Sequence, residues 1–385
     1  MAGALRVGLL VNPVAGLGGP GGFKGSDHGA WKKALEAGYA PTSPGRAARF
    51  VAAVGPDVAW VAPPGALGGE TCPGAERVLA NADFRLGSTT PEDTVRAAQA
   101  LRDAKVDLLC FVGGDGTATD VARAVGESVP CLGVPAGVKI TSPVFAHDVA
   151  EAAWLVGGLR PGFETVRRDV TDLDEEAYRQ GHFEVRLRGS LMVPPSPAVQ
   201  DGKVATAAET PLGPIVEQVL EQWDADALHL VGAGSVCLAV KSQFWGKPTL
   251  LGVDAIVGNR IVATDLDDRR IAELVREHQA ERRPVRITLS PIGGQGMLLG
   301  RGTQVLRPEV LRSVGWDNLL VISPPEKLFG IRALHVDTGD PALDASAPRH
   351  IRVVTGWNEV RLVRIQHGPV PVEPETGGPA RGAAR

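Results

Sequence analysis

Gly113-Gly114-Asp115-Gly116-Thr117 sets a single carboxylate among glycines, between the mostly apolar run Asp107–Val112 and a segment, Thr117–Gly126, with the composition of a helix. Such a strand-to-helix turn suits phosphate. Glycines let backbone N–H groups approach a ligand closely, and the helix N-terminus carries about half a positive charge. A carboxylate in that cradle needs a reason. It has one if it accepts a proton from a substrate hydroxyl, or if Mg²⁺ stands between it and the phosphates. The competing reading is a tight turn whose Asp115 caps the next helix. Spacing alone leaves both open, because one glycine-rich turn is a weak signal.

Three further glycine-rich loops could do similar chemistry. Asn12–Gly19 follows the apolar run Leu5–Val11 and precedes Lys24; it reads as an anion loop or as a surface loop with an Asx-turn at Asn12. Gly232-Ala233-Gly234-Ser235 lies between the run Ala227–Val231 and a helix reaching about Phe244, as an anion site or as an ordinary turn capped by Ser235. Ser290–Gly296 with Gly300-Arg301-Gly302-Thr303 joins strand-like runs, either as a hairpin loop with a solvated arginine or as a site where the Arg301 fork meets phosphate. The eight histidines show no H-E-x-x-H or paired spacing, so no metal site is expected among them. Asp337-Thr338-Gly339-Asp340 reads as turn chemistry.

The elements that must hold these loops alternate. Strands are expected at Leu5–Val11, Val58–Ala62, Arg85-Leu86, Asp107–Val112 and Val129–Val134. Helices are expected at about His28–Ala37, Ala75–Ala82, Pro91–Ala104, Thr117–Gly126 and Val144–Gly157. The third has Thr90 as N-cap, Pro91 in its first turn, and Glu92 and Asp93 against the dipole. This βα alternation implies an N-terminal α/β, doubly wound, Rossmann-like parallel sheet with ligands at the carboxyl ends of its strands.

Past about residue 160 the texture changes. Phe183–Arg188 alternates apolar and charged residues, as an antiparallel strand with one wet face does. Further strands are expected at Thr249–Val257, Arg260–Ala263, Val285–Leu289 and Leu319–Ile322, helices at Pro214–Trp223 and Asp267–Ala280, and a closing hairpin over Arg349–Ile365. The organisation expected is an α/β domain over 1–160, a β-rich domain over 161–367 and a disordered tail over 368–385.

With 385 residues, 44% hydrophobic and 22% charged, the chain can bury a substantial core. Its net charge of -4 supplies no general basic field, which argues against nucleic acid and anionic membrane surfaces as partners. Cys72, Cys110, Cys131 and Cys237 are dispersed, as buried thiols in a reducing compartment are. Val7–Val11 is too short for a secretory h-region, and no apolar run approaches the roughly 20 residues of a membrane span. A cytoplasmic protein is expected.

As a set, these loops resemble one family. Asn12–Gly19, Gly113–Thr117, Val134-Pro135-Ala136-Gly137-Val138-Lys139, Leu251-Gly252-Val253-Asp254 and Ser290–Gly302 occur in the order seen in the ATP-NAD kinase family. They match in particular its bacterial and archaeal branch of predicted polyphosphate/ATP-NAD kinases, which includes proteins associated with acetoin catabolism. The resemblance spans about residues 5–365. It implies an active site between an α/β and a β-rich domain, and a homo-oligomer. It also implies transfer of the terminal phosphoryl group of ATP or polyphosphate, with Mg²⁺, to the 2′-hydroxyl of the adenosine ribose of NAD. In such chemistry the protein supplies position and charge compensation. The resemblance casts Asp115 as general base or metal-linked carboxylate, and Gly113, Gly114, Gly116 and Thr117 as phosphate contacts with Asn12 near the same cleft. Lys139 and Arg301 would offset developing charge, while Asp254 reads as a strand-end turn residue in preference to a holder of Mg²⁺ or a ribose hydroxyl. The chain departs from the branch at Thr119, where an arginine is usual, at Gly232–Cys237, and at Thr303, where an asparagine is usual. A kinase of another hydroxylated metabolite and a non-catalytic nucleotide-binding protein are the alternatives.

Overall fold

The computed structural model describes residues 4–22, 30–138, 140–173, 185–202 and 210–367. Lys24, Lys139, Phe183-Glu184, the start of the helix expected at His28 and the segment 368–385 lie outside the described residues. The chain runs β1 (Leu5–Val11), α1 (Ala30–Glu36), α2 (Ser43–Val54), β2 (Val58–Ala62), β3 (Glu76–Arg77), α3 (Pro91–Asp103), β4 (Leu108–Gly113), α4 (Asp115–Val125), β5 (Cys131–Pro135) and α5 (Val149–Gly158). These strands make one parallel sheet in the order β3-β2-β1-β4-β5. The chain leaves β1 toward one edge and returns after β3 to the other flank of β1. The switch point of the sheet therefore lies between β1 and β4, where open α/β sheets bind ligands beyond their carboxyl ends. Asn12 follows β1 directly, and the glycine turn follows β4.

Local chemistry explains the elements that frame this point. β4 is buried along its whole length, each Leu or Phe there contributing about 1.5–3 kcal/mol, and Phe111 meets Phe145 edge to face at 5.2 Å. α3 starts with a capping box: Thr90 Oγ1 accepts from Asp93 N (3.3 Å) and Asp93 Oδ2 accepts from Thr90 N (3.0 Å). Asp148 starts α5 by accepting from Glu151 N at 2.8 Å.

The second half opens with an antiparallel hairpin, β6 (Val166–Leu173) and β7 (Val185–Val193), which lies over α4 and sends Val170, Leu191 and Val193 into the first core. Then follow α6 (Gly213–Glu221), β8 (Leu228–Val231), α7 (Ser235–Lys241), β9 (Asp254–Val257), β10 (Arg260–Ala263), α8 (Asp268–Ala280), β11 (Val285–Leu289) and β12 (Met297–Leu299). The chain closes with α9 (Pro308–Val314), β13 (Leu319–Ile322), β14 (His335–Val336), α10 (Pro341–Ala345), β15 (His350–Gly356) and β16 (Glu359–Arg364). A seven-stranded sheet has the order β10-β9-β8-β11-β13-β15-β16. Its centre is parallel, with antiparallel strands at both edges, so the C-terminal hairpin belongs here through the β13–β15 pairing.

Several sequence expectations change. Ala75–Ala82 is not a helix and Arg85-Leu86 is not a strand; the described chain there has only the short β3 and turns. Arg77 is the reason, because its guanidinium donates to the carbonyls of Gly69, Cys72, Pro73 and Ala75 and so fixes an irregular loop. The helix expected from Val144 begins at Val149, since Phe145 and Ala146 bridge to Gly133 and Val199. Ser290–Gly296 is no hairpin loop: β11 and β12 do not pair, and β12 instead runs parallel to β14.

Candidate functional site

The switch point is closed by side chains from both of its strands. Asn12 Nδ2 donates to Thr117 Oγ1 (2.9 Å), Asn12 Oδ1 accepts from Val14 N (3.2 Å) and Asn12 O accepts from Ser43 Oγ (2.6 Å). The Asx-turn expected at Asn12 is thus present, and the same side chain ties β1 to α4. Gly113 is glycine for packing: a Cβ there would stand 2.3 Å from Thr117 Oγ1. Gly114 is the N-cap of α4, in extended conformation, and a Cβ on Gly137 would lie 2.8 Å from its Cα. Gly116 is exposed with open space where a Cβ would be. The first backbone N–H groups of α4 have no partners within the helix.

Asp115 opens α4 and is buried. Its Oδ2 accepts from Thr141 N (2.6 Å) and Thr141 Oγ1 (2.8 Å), and its Oδ1 accepts from Ser142 N (3.1 Å). Burial raises its pKa above the ordinary carboxylate range, against hydrogen bonds from Ser142 and Thr141 that pull it down. Oδ2 carries two of these donors and Oδ1 one, so Oδ1 is the less committed oxygen.

The loop after β11 reaches across to this pocket. Gln295 Nε2 donates to Ile140 O (3.0 Å), Gly302 N to Val138 O (3.1 Å), Gln304 Nε2 to Gly137 O (3.3 Å) and Arg301 Nη2 to His147 O (3.3 Å). Gln295 Oε1 and Gln304 Oε1 stay buried without partners. Arg301 is itself buried, and burial lowers its pKa to about 10. Its Nη1 donates to Gln200 Oε1, Gln200 Nε2 donates to Ser142 O (2.9 Å), and Ser142 N donates to Asp115, so three side chains and the Ser142 backbone form one line. Thr303 closes the turn carrying Arg301 by accepting from Gly300 N at 3.0 Å. Asn12, the Gly113–Thr117 turn and Arg301 therefore converge, together with Gly137, while Lys139 lies outside the described residues.

Other candidates fall elsewhere. Asp254 is fully buried and saturated by Thr249 N, Thr249 Oγ1, Asp265 N and the Lys241 ammonium at 3.0 Å, which makes it scaffold. Ser235 does not cap α7: Gly234 is its N-cap, and Gly234 N is spent on Leu250 O (2.8 Å). Two groups escaped the sequence reading. Lys327 is half-buried, donates to Ser290 Oγ (2.8 Å) and has its pKa lowered to about 8 by the desolvation of its ammonium; in sequence it is an ordinary lysine after two prolines. His147, Glu151 and His335 gather at the entry of α5 beside β14, their rings stacked at 3.8 Å. Burial lowers His147 to about 2 and His335 to about 4, and burial with Asp148 raises Glu151 to about 9. The i,i+4 spacing of His147 and Glu151 was the available signal; His335 is distant in sequence.

Residues 45–156 match the family model of the ATP-NAD kinase N-terminal domain, and residues 235–365 match that of the ATP-NAD kinase C-terminal domain. No curated protein and no solved structure matches the chain. Among the described residues no helix is long and apolar enough to cross a membrane.

Proposed function

Because the chain belongs to the ATP-NAD kinase family, we propose that it transfers the terminal phosphoryl group of ATP or polyphosphate to the 2′-hydroxyl of the adenosine ribose of NAD, with Asp115 as the general base. The observation that carries this reading is the Asp115 carboxylate, buried at the switch point and held there by Thr141 on Oδ2 and by Ser142 on Oδ1. In the reaction the hydroxyl oxygen attacks the terminal phosphorus, the bond from phosphorus to the leaving phosphate oxygen breaks, and the hydroxyl proton passes to Asp115 Oδ1. Burial makes that carboxylate more basic than a solvated one, which favours proton acceptance. The N-terminus of α4, with Gly114 and the open Gly116, supports phosphate binding. Gln295 and Gln304 offer unpartnered carbonyl oxygens to N–H donors such as those of adenine or a carboxamide.

Mg²⁺ takes one or two carboxylates along with substrate phosphates and keeps several waters. Were Asp115 the metal-linked carboxylate rather than the base, it would give such an ion a hard-oxygen ligand at this turn, and the ion would neutralise phosphate charge. Arg301, buried and linked to Asp115 through Gln200 and Ser142, contributes positive charge from behind the pocket rather than a fork presented to solvent.

The test is a purified-protein assay with ATP or polyphosphate, Mg²⁺ and NAD, following NADP, with Asp115→Asn in parallel. NADP formed by the wild type and lost in the variant is the expected result. No NADP with either donor overturns the proposed acceptor, and no ATP consumption across a panel of metabolite alcohols overturns the kinase.

A further inference from the structure

We propose that His147, Glu151 and His335 bind a divalent transition-metal ion, a site separate from the Asp115 pocket. All three residues are buried, and one ligating atom of each lies within 4.8 Å of the others. Both oxygens of the fully buried Glu151 lack a hydrogen-bond partner, as do Nδ1 of His147 and Nδ1 of His335. Buried polar atoms are normally satisfied, and four orphans converging at one point ask for a common partner.

A histidine–carboxylate hydrogen bond does not supply it, because His335 Nδ1 stands 4.0 Å from Glu151 Oε1. Metal bonds to such atoms are about 2.0–2.2 Å long, so two ligands of one ion stand up to about 4 Å apart. The ligand atoms here lie within 4.8 Å, and the two rings are stacked at 3.8 Å with planes 5° apart, so binding requires the atoms to close and one imidazole to turn until both lone pairs face the ion. The His147 ring also hydrogen-bonds the Pro197 backbone, the kind of outer contact that orients a ligating imidazole.

Two imidazoles and one carboxylate select zinc, cobalt, iron or manganese over Mg²⁺ and Ca²⁺, which prefer oxygen alone. A fourth ligand position is left for water. Glu151 comes from α5 and His335 from β14, so the ion would join the two halves of the chain. The His147 carbonyl accepts from Arg301, so the ion would also hold in place the line that ends at Asp115.

The test uses the full-length chain, stripped with a chelator and dialysed against Zn²⁺ or Co²⁺, with metal content, melting temperature and the Co²⁺ absorption spectrum measured. The expected result is about one metal per chain, a raised melting temperature, and a cobalt spectrum of nitrogen and oxygen ligands without thiolate charge transfer. Glu151→Gln and His335→Gln, checked for folding by circular dichroism, should each bind more than about tenfold more weakly. Wild-type protein that retains no zinc at micromolar concentration overturns the site. So does a thiolate band, or folded variants that bind as the wild type does. Should both variants unfold, wild-type stoichiometry and the cobalt spectrum decide. None of these readouts depends on phosphoryl transfer.

Discussion

Replacing Asp115 by asparagine separates two roles of one side chain. The carboxylate accepts three hydrogen bonds, two on Oδ2 from Thr141 and one on Oδ1 from Ser142. Asparagine keeps one carbonyl oxygen, which can retain both Thr141 bonds, and must then turn its NH₂ toward Ser142 N. A donor faces a donor, and the Ser142 N–H is orphaned in a buried place. That loss costs about 1–3 kcal/mol, with weakening of the remaining two bonds as their acceptor loses its charge. Relief acts the other way, because burial penalises the ionised carboxylate and the amide escapes that penalty. The raised pKa shows that burial costs the ionised carboxylate more than its hydrogen bonds return, so relief offsets part of the orphaned donor's cost and the expected net loss is about 1 kcal/mol. Urea unfolding followed by tryptophan fluorescence measures this. Turnover of the folded variant should fall about 10²–10⁴-fold if the residue is the base. A variant within about 0.5 kcal/mol of wild type refutes the hydrogen-bond argument. Undiminished turnover refutes the catalytic role.

Gly113→Ala should lower stability by about 1–3 kcal/mol, because the new methyl would sit 2.3 Å from Thr117 Oγ1 and 2.6 Å from its Cβ; an unchanged unfolding midpoint would show that α4 yields freely. Thr117→Val removes the hydroxyl that accepts from Asn12 and should cost about 1 kcal/mol, and Asn12→Ala/Thr117→Val should cost less than the sum of its singles by about 0.5–1 kcal/mol, since both singles lose the same bond; strict additivity contradicts the link. Lys327→Met carries a pH signature. The folded-state pKa, about 8, lies below the unfolded value of 10.5, so the penalty on the charged form is fully present below pH 8 and vanishes as pH rises through 10.5. Linkage gives about 3 kcal/mol at pH 7, and loss of the Ser290 bond trims the expected gain to about 2 kcal/mol. A gain that does not shrink between pH 7 and pH 10 contradicts the assignment.

The sheet at the switch point was legible because its signals are local. The continuous apolar run before Gly113 can hardly be anything but a strand covered on both faces, and Thr90, Pro91 and Asp93 announce α3. α2 went unread, since its opening Ser43-Pro44-Gly45 has the composition of a loop although proline in a first turn is a helix start. β3 is two residues long and depends on Arg77 gathering carbonyls, a tertiary event with no periodicity. The glycine turn announced itself by residue type. What Asp115 does with its oxygens did not, because its partners are backbone and hydroxyl groups of Thr141 and Ser142 in a loop with no motif of its own. His335 reaches His147 and Glu151 only once β14 lies beside β12.

The contacts from 295–304 to 137–147 run in one direction. Among the described residues every donor comes from the later segment, through Gln295, Arg301, Gly302 and Gln304, and every acceptor is a backbone carbonyl, of Ile140, His147, Val138 and Gly137. Backbone carbonyls survive any change of side chain. Tolerance to mutation is therefore lopsided across this seam. Substitution at Val138 or Ile140 leaves the carbonyls available, whereas Gln295, Arg301 and Gln304 each lose a bond on replacement by an apolar residue. These bonds constrain residue type on the later segment alone, whereas Gly137, Ile140 and His147 are held to theirs by close packing, core burial and the buried histidine–glutamate cluster.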